Sequence, residues 1–357
     1  MTFFYLTAQC KDAVFVNSSG FNYLNRNDGK GFFTSVPVNP AETLSALGVA
    51  AADLDGNGTL DIFIANAAGA LNRVYLNDGD GNFLGFNAAS DTTNSSAVDL
   101  GDLNGDGYLD ALVTNTGGVP SLVYLNDGFG FFPASTVSSA DTFSSVGVAL
   151  GDLDGDGDLD AFVTNVSSAN RILVNNGSGV FTPKDATATI TSSRDVVLGD
   201  FDGDGDLDAF VVNDSPSMSQ LYINDGLGNF TDQTVGSTAI TRQGLAMGDA
   251  DGDGDLDVFV TANAAPPILY RNDGGLVFTE LPVTSVTTDT GTDADMGDID
   301  GDGDLDVIVS NQAGGQQNRV YVNDGSGNFL TRFATADINT TSDVVMGKFT
   351  DQACQFR

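Results

Sequence analysis

Short apolar runs bounded by Gly, Asp and Asn recur along the whole chain, as in DIFIAN (61–66), DALVTN (110–115) and DAFVTN (160–165). None continues into the 3.6-residue apolar spacing of an amphipathic helix, so the pattern predicts strands rather than helices. Each such run follows the loop D-x-D/N-G-D/N-G-x-x-D. The loop begins at Asp53, Asp102, Asp152, Asp200, Asp249 and Asp298, with spacings of 49, 50, 48, 49 and 49 residues. Before it lies a stretch rich in small residues, such as SSVGVALG. After the apolar run come a variable polar segment, a second β-type run such as NRVYLNDG, and a Phe. NDG between two β-type runs is a strong hairpin signal. It starts at Asn27, Asn77, Asn126, Asn224, Asn272 and Asn323, with Asn175-Asn176-Gly177 as the variant, and a Phe stands six residues after each first Asn. Four short strands in about 49 residues is the period of a β-propeller blade.

Seven hairpins but six Asp loops require a seventh, split unit. Asp12 lies 49 residues before Asp61 and opens a second-strand run, while DVVMGKF (343–349) reads as a first strand with Lys348 in place of the first loop Asp. The chain is therefore expected to be a single all-β, seven-bladed propeller domain over 1–357. Six complete blades occupy about 35–330, and a composite blade is built from 1–34 and 335–357. Such closure leaves no open ring edge. Cys10 and Cys354 both fall at loop position seven of the composite unit, and a disulfide between them is expected to lock the ring. The segment Thr2–Ala8 is surplus to the blade and strand-prone.

Composition sharpens the loop reading. Formal net charge is -36, with 49 acidic residues against 13 basic ones. Only Glu42 and Glu280 are Glu; the rest are Asp, which favours turns and metal loops. The excess argues against nucleic-acid or anionic-membrane partners, and no apolar run is long enough to insert in a membrane. In the loops, positions 1, 3, 5 and 9 carry carboxylates or carboxamides, and position 7 offers its carbonyl. The ligand sets are Asp53, Asp55, Asn57, Thr59, Asp61; Asp102, Asn104, Asp106, Tyr108, Asp110; and Asp152, Asp154, Asp156, Asp158, Asp160. Three further sets follow: Asp200, Asp202, Asp204, Asp206, Asp208; Asp249, Asp251, Asp253, Asp255, Asp257; and Asp298, Asp300, Asp302, Asp304, Asp306. Hard oxygen donors on flexible loops select Ca2+, six ions in all, over Mg2+. An EF-hand is disfavoured because a β-type run follows position nine.

GDLDGDGDLDAFVTN followed by YLNDGxGNF resembles the FG-GAP/VCBS repeats of integrin-α-like propellers, and is similar to seven-bladed fungal lectins of the Psathyrella type. The resemblance covers nearly the whole chain and implies calcium loops between first and second strands. It leaves function open, because adhesion receptors, lectins, enzymes and scaffolds share the repeat. Calcium loops and hairpins fall on one face, nearly invariant between units. The 2–3 loops on the other face diverge (NAAGALN, NTGGVPS, NVSSAN, NDSPSMS), which places a binding site there.

Individual residues carry weaker signals. The strand-three Tyr series from Tyr23 to Tyr321 is expected to pack, and the Asn series from Asn17 to Asn311 at second-strand ends to cap turns. Arg73, Arg171 and Arg319 border the variable face, to grip a carboxylate or to pair with nearby Asp. Asp99 and Asp295 fall on innermost strands. The leading expectation is an extracellular or cell-surface calcium-binding adhesion module for glycan or a protein partner. A self-assembling subunit of an appendage, through Thr2–Ala8, is the alternative. With no His in the chain, the usual general acid/base is missing, and the expectation is that the chain is not an enzyme.

Overall fold

The computed structural model describes residues 11–133, 135–137, 142–237, 241–283, 289–312, 316–334 and 340–350. Within them lie 28 strands and no helix. They form seven antiparallel four-stranded blades. Blade 1 is Ala46–Ala52, Asp61–Asn66, Arg73–Asn77 and Phe83–Asn87, and the next five repeat that order with first strands at Ser95–Gly101, Ser145–Gly151, Ser193–Gly199, Arg242–Gly248 and Asp289–Gly297. In the composite blade, Thr340–Gly347 pairs with Asp12–Ser19, followed by Tyr23–Asn27 and Phe33–Pro37. Blades 5 and 6 are also joined by backbone pairing, Asn263 to Thr290. Cys10, Cys354 and Thr2–Ala8 lie outside the described residues.

The second strands explain the unbroken apolar runs. A blade's sheet is covered on both faces by its neighbours, so every residue of Asp61–Asn66 or Asp208–Asn213 is buried, and alternation disappears. The apolar core is accordingly divided into seven clusters, one per interface between blades. The cluster holding Val14, Val345, Val49 and Ile62 joins the composite blade to blade 1, and the one holding Phe15, Val344 and Ile308 joins it to blade 6. The ring is therefore closed. At four interfaces the same three rings meet: a second-strand Phe, then the strand-three Tyr and the post-hairpin Phe of the next blade. Phe162 lies 5.2 Å from Tyr222 and 5.8 Å from Phe230, and Phe63, Phe210 and Phe259 repeat the motif. Those Tyr residues are packing groups.

At the ring's centre the blades approach to backbone contact. A Cβ on Gly48 would stand 2.8 Å from the Cα of Ala97 in blade 2, so only hydrogen fits there. The inner strands enclose a cavity of about 530 Å³.

Candidate metal loops and the two faces

Loop geometry is set by backbone N–H groups donating to the Asp side chains. In blade 4, Asp200 accepts from Gly203, Asp204 and Gly205 at 2.7, 3.1 and 3.0 Å, and Asp204 accepts from Asp206 at 3.0 Å. Gly203 and Gly205, at φ of 80° and 98°, supply the left-handed turns that this wrapping needs. Asp208, the ninth residue, starts the second strand and uses both oxygens: one accepts from Phe201 N–H at 3.2 Å, the other from Asn224 N–H at 2.9 Å.

The structure gathers these side chains in part. In blades 1, 3, 4 and 5 the carboxylates at positions 1, 3 and 9 each bring an oxygen within 4.8 Å of the others, as in Asp53, Asp55 and Asp61, or Asp249, Asp251 and Asp257. In blade 6 the gathered set is Asp298, Asp300 and Asp302. The position-five carboxylates Asp156, Asp204 and Asp253 stand outside their sets. The blade-2 loop gathers no such trio, because Asn104 holds the third position and donates to Asp106 at 3.0 Å. Position-seven side chains turn away to the hairpin: Asp158, Asp206 and Asp304 lie against Gly177, Gly226 and Gly325, and Tyr108 lies against Gly128. That leaves the carbonyl as their donor to the loop.

Burial, reinforced by neighbouring loop carboxylates, pushes Asp61, Asp110, Asp160, Asp208, Asp257 and Asp306 up to about 6. Three carboxylates crowded together without a cation are electrostatically costly, and an all-oxygen donor set around them fits a hard divalent ion. These residues could hold a metal.

The composite blade has its own solution. Asp12 stands at position nine and accepts from Asn27 N–H at 2.9 Å, as in the other blades. Its second oxygen accepts from the Thr350 hydroxyl at 2.9 Å. Thr350 occupies loop position three, so a hydroxyl meets the carboxylate there.

The hairpin Asn has a role that the turn signal concealed. In all seven blades the first Asn of the triplet donates its side-chain N–H to a carbonyl at loop position two of the preceding blade. Asn126 reaches Leu54 at 2.8 Å, Asn175 reaches Leu103 at 2.9 Å, and Asn77 reaches Phe349 at 2.8 Å. Each hairpin thus staples its blade to the Asp loop of its neighbour, or to the counterpart of that loop in the composite blade.

On the opposite face, Asn17, Asn66, Asn115, Asn165, Asn213 and Asn311 donate across their own 2–3 loops, for instance Asn66 to Leu71 at 2.8 Å. They are turn caps. Arg73 pairs with Glu42 at 2.5 Å and Arg171 with Asp185, while Arg319 lies 5.4 Å over the Phe333 ring. The channel holds more carboxylates than Asp99 and Asp295: Asp195, Asp293 and Asp343 also line the cavity. Several clamp the next blade, as Asp99 accepts from Leu150 N–H at 2.9 Å, Asp295 from Met346 at 2.7 Å and Asp343 from Val49 at 2.7 Å.

The FG-GAP-like repeat description matches six overlapping stretches, 10–64, 53–113, 102–163, 152–211, 200–260 and 249–309. No curated protein matches by sequence. Among solved structures, a candidate 6-phosphogluconolactonase from Bacteroides fragilis superposes with a TM-score of 0.68 at 12% identity, covering 96% of this chain and 99% of that one. The periplasmic gluconolactonase of Pseudomonas aeruginosa gives 0.65 at 16% identity, covering 94% and 98%. BBS1N, solved in complex with ARL6DN, gives 0.57 at 14% identity, covering 85% and 87%. At these identities the likeness is one of fold. It nevertheless corrects the expectation that the chain is not an enzyme: propellers of this shape include a gluconolactonase and a candidate 6-phosphogluconolactonase, so the architecture does not exclude catalysis.

Proposed function

Since this chain belongs to the FG-GAP-like repeat family, we propose that it is an extracellular or cell-surface binding module, a calcium-loaded propeller that takes a protein partner on its 2–3 loop face. The observation that carries this reading is the asymmetry between faces. Loops and hairpins on one face repeat the same residues and bonds blade after blade, while the 2–3 loops on the other share a frame, an Asn cap in most blades and one backbone bond such as Ala67 N–H to Ser45 O, and diverge in length and in the side chains they present. A rigid scaffold carrying variable loops is the usual arrangement of a binding surface. BBS1N, of similar fold, was solved with a protein partner, which favours protein over glycan.

Calcium would be held by the carboxylates at positions 1, 3 and 9, the position-five side chain and the position-seven carbonyl. Bound there, it supplies positive charge to crowded Asp groups. The chain's own part is to hold those oxygens together through backbone N–H donors and to keep position nine fixed at the strand.

Two measurements test the reading. EDTA is expected to lower the melting temperature sharply, with recovery on adding back Ca2+; an unchanged melt refutes the metal assignment. Arrays of secreted proteins and of glycans are then probed in calcium with the parent and with a chain whose 2–3 loops are replaced by Gly-Ser segments. Protein hits that vanish with the loops are expected. Hits that persist refute the choice of face, and glycan hits alone refute the partner class.

A further inference from the structure

The loop-and-hairpin face is not uniform, and a joined apolar group lies on blades 1 and 2. At the residues flanking the second Gly, the hairpins of blades 1 and 6 carry only polar side chains, Asp80 and Asn82, and Ser326 and Asn328, while Phe32, Val180 and Leu227 stand one to a tip, exposed, on the composite blade and blades 3 and 4. In blade 2 these are Phe129 and Phe131, which are 69% and 50% exposed. Beside them stand Tyr108 of the blade-2 loop, 49% exposed, and Leu84 of the blade-1 outer strand, 69% exposed.

These side chains are contiguous. Phe131 stacks on Phe86 with ring centroids 4.7 Å apart and planes at 22°. Leu84 is two residues from Phe86 on the same strand face, and lies across the strand from Leu76. Leu76 packs under Gly130, between the two Phe residues. Tyr108 covers Gly128, immediately before Phe129. Single exposed apolar residues are ordinary on a protein surface, whereas a joined cluster marks an interaction site.

Charge selects the occupant. Asp127 accepts the N–H groups of Phe129 and Phe131 at 2.9 and 3.2 Å, and Asp106 accepts that of Tyr108 at 2.9 Å, so carboxylates are tied directly to the aromatic residues. Asp78 and Asp80 stand exposed at the blade-1 end, on the hairpin that leads into the strand of Leu84. The Asn82 amide and two backbone N–H groups hold Asp78 below the usual carboxylate range, so it stays ionised. An apolar centre rimmed by carboxylates repels a second copy of this chain at -36, and repels nucleic acid or anionic lipid alike. It complements apolar side chains flanked by cations.

We propose that this cluster of Leu84, Phe86, Tyr108, Phe129 and Phe131 is a docking surface for a polypeptide segment that alternates apolar side chains with Lys or Arg. It is separate from the variable face and does not depend on what binds there. Aromatic anchors supply the affinity, and the carboxylate rim supplies selectivity and salt dependence.

The test uses a short fluorescein-labelled synthetic peptide alternating Phe with Lys, titrated by anisotropy against the full chain in calcium. Two control peptides replace Phe by Ser or Lys by Glu. The parent is expected to bind the Phe/Lys peptide best, more weakly as salt rises. The double variant Phe129→Ser, Phe131→Ser, with an unchanged melt, is expected to bind about tenfold more weakly or worse. The control double variant Leu330→Ser, Phe333→Ser, exposed positions on the outer strand of blade 6, is expected to bind like the parent. Equal binding by the Phe129/Phe131 variant, equal loss in the blade-6 variant, or equal affinity for either control peptide overturns the proposal. Displacement of the peptide by a neutral oligosaccharide shows a glycan site and overturns it too.

Discussion

Asn175 and Asn176 are adjacent, identical in chemistry and part of one hairpin turn, yet the structure assigns them different work. Asn175 is buried, donates to Leu103 O of blade 2 at 2.9 Å and to Leu159 O at 3.1 Å, and accepts from Asn176 N–H at 2.9 Å. Asn176 makes an exposed turn bond, accepting from Ser178 N–H at 3.1 Å. Asn175→Ala strips the donor from one buried and one partly buried carbonyl, at about 1–3 kcal/mol each, for a total of roughly 2–6 kcal/mol. Asn176→Ala removes one solvated bond, about 0.5–1 kcal/mol. Both variants would be melted and unfolded in denaturant beside the parent in saturating calcium. A pure turn role predicts similar losses at the two positions. If they fall within about 1 kcal/mol of each other, near the net worth of a single hydrogen bond, the interblade staple is not what Asn175 does.

The channel makes the next prediction. Burial raises Asp99 and Asp295 to about 6 and Asp195 to about 7; Asp343 lies near Asp195 and hydrogen-bonds Asp293, and Lys11 lies near Asp295. The folded state therefore binds protons more tightly than the unfolded chain, and this contribution to stability is present at low pH and lost as pH rises through about 6–7. Asp293→Asn should stabilise the protein at pH 8, because it removes a buried carboxylate that desolvation and the neighbouring Asp343 push above its usual range, with the gain shrinking towards pH 5. A pH-independent difference between variant and parent, read from paired melts, contradicts this. Gly48→Ala forces a methyl against the Ala97 backbone and should cost about 1–3 kcal/mol; a neutral melt would show that the inner strands can separate.

The repeat was legible because its signals are local. Asp and Gly within nine residues define a loop, NDG defines a hairpin, and a 49-residue period with four strands defines a blade. The composite blade was legible from Asp12 for the same reason. What escaped are relations between blades. Asn126 and Leu54 are 72 residues apart, and the turn signal already accounted for the Asn. A clue existed at Asn175, where the first Asn persists although the second position changes from Asp to Asn. A turn alone does not demand that constancy. Asp195, Asp293 and Asp343 were hidden differently. They sit two residues earlier on the inner strand than the position of Asp99 and Asp295, so they face the same side, yet no short motif marks them. The aromatic cluster was missed because Phe129, Phe131 and Tyr108 each belong to a repeat position read for its backbone. The position-five carboxylate stands apart from positions 1, 3 and 9 in blades 3, 4 and 5 and joins positions 1 and 3 in blade 6, a difference that the repeated motif does not reveal.

The staple and the loop share a residue, and that ties the candidate metal site to the ring. Leu153 at position two of the blade-3 loop donates its N–H to Asp160 at 3.2 Å, and its carbonyl accepts from Asn224 of blade 4 at 2.9 Å. Asp160 in turn accepts from Asn175 N–H at 2.8 Å, which anchors the hairpin whose side chain reaches back to blade 2. A cation held by Asp152, Asp154 and Asp160 would therefore steady the very residue that the next blade grips, and its loss would loosen two interfaces at once. The same chain of bonds passes through the composite blade, where Phe349 O accepts from Asn77 and Thr350 donates to Asp12. There the clasp is made with a hydroxyl and needs no ion. The blade in which the two ends of the chain meet is thus held by bonds that chelation does not break, so removing metal should open the loops and soften the interfaces of blades 1 to 6 before it parts the ring at its seam.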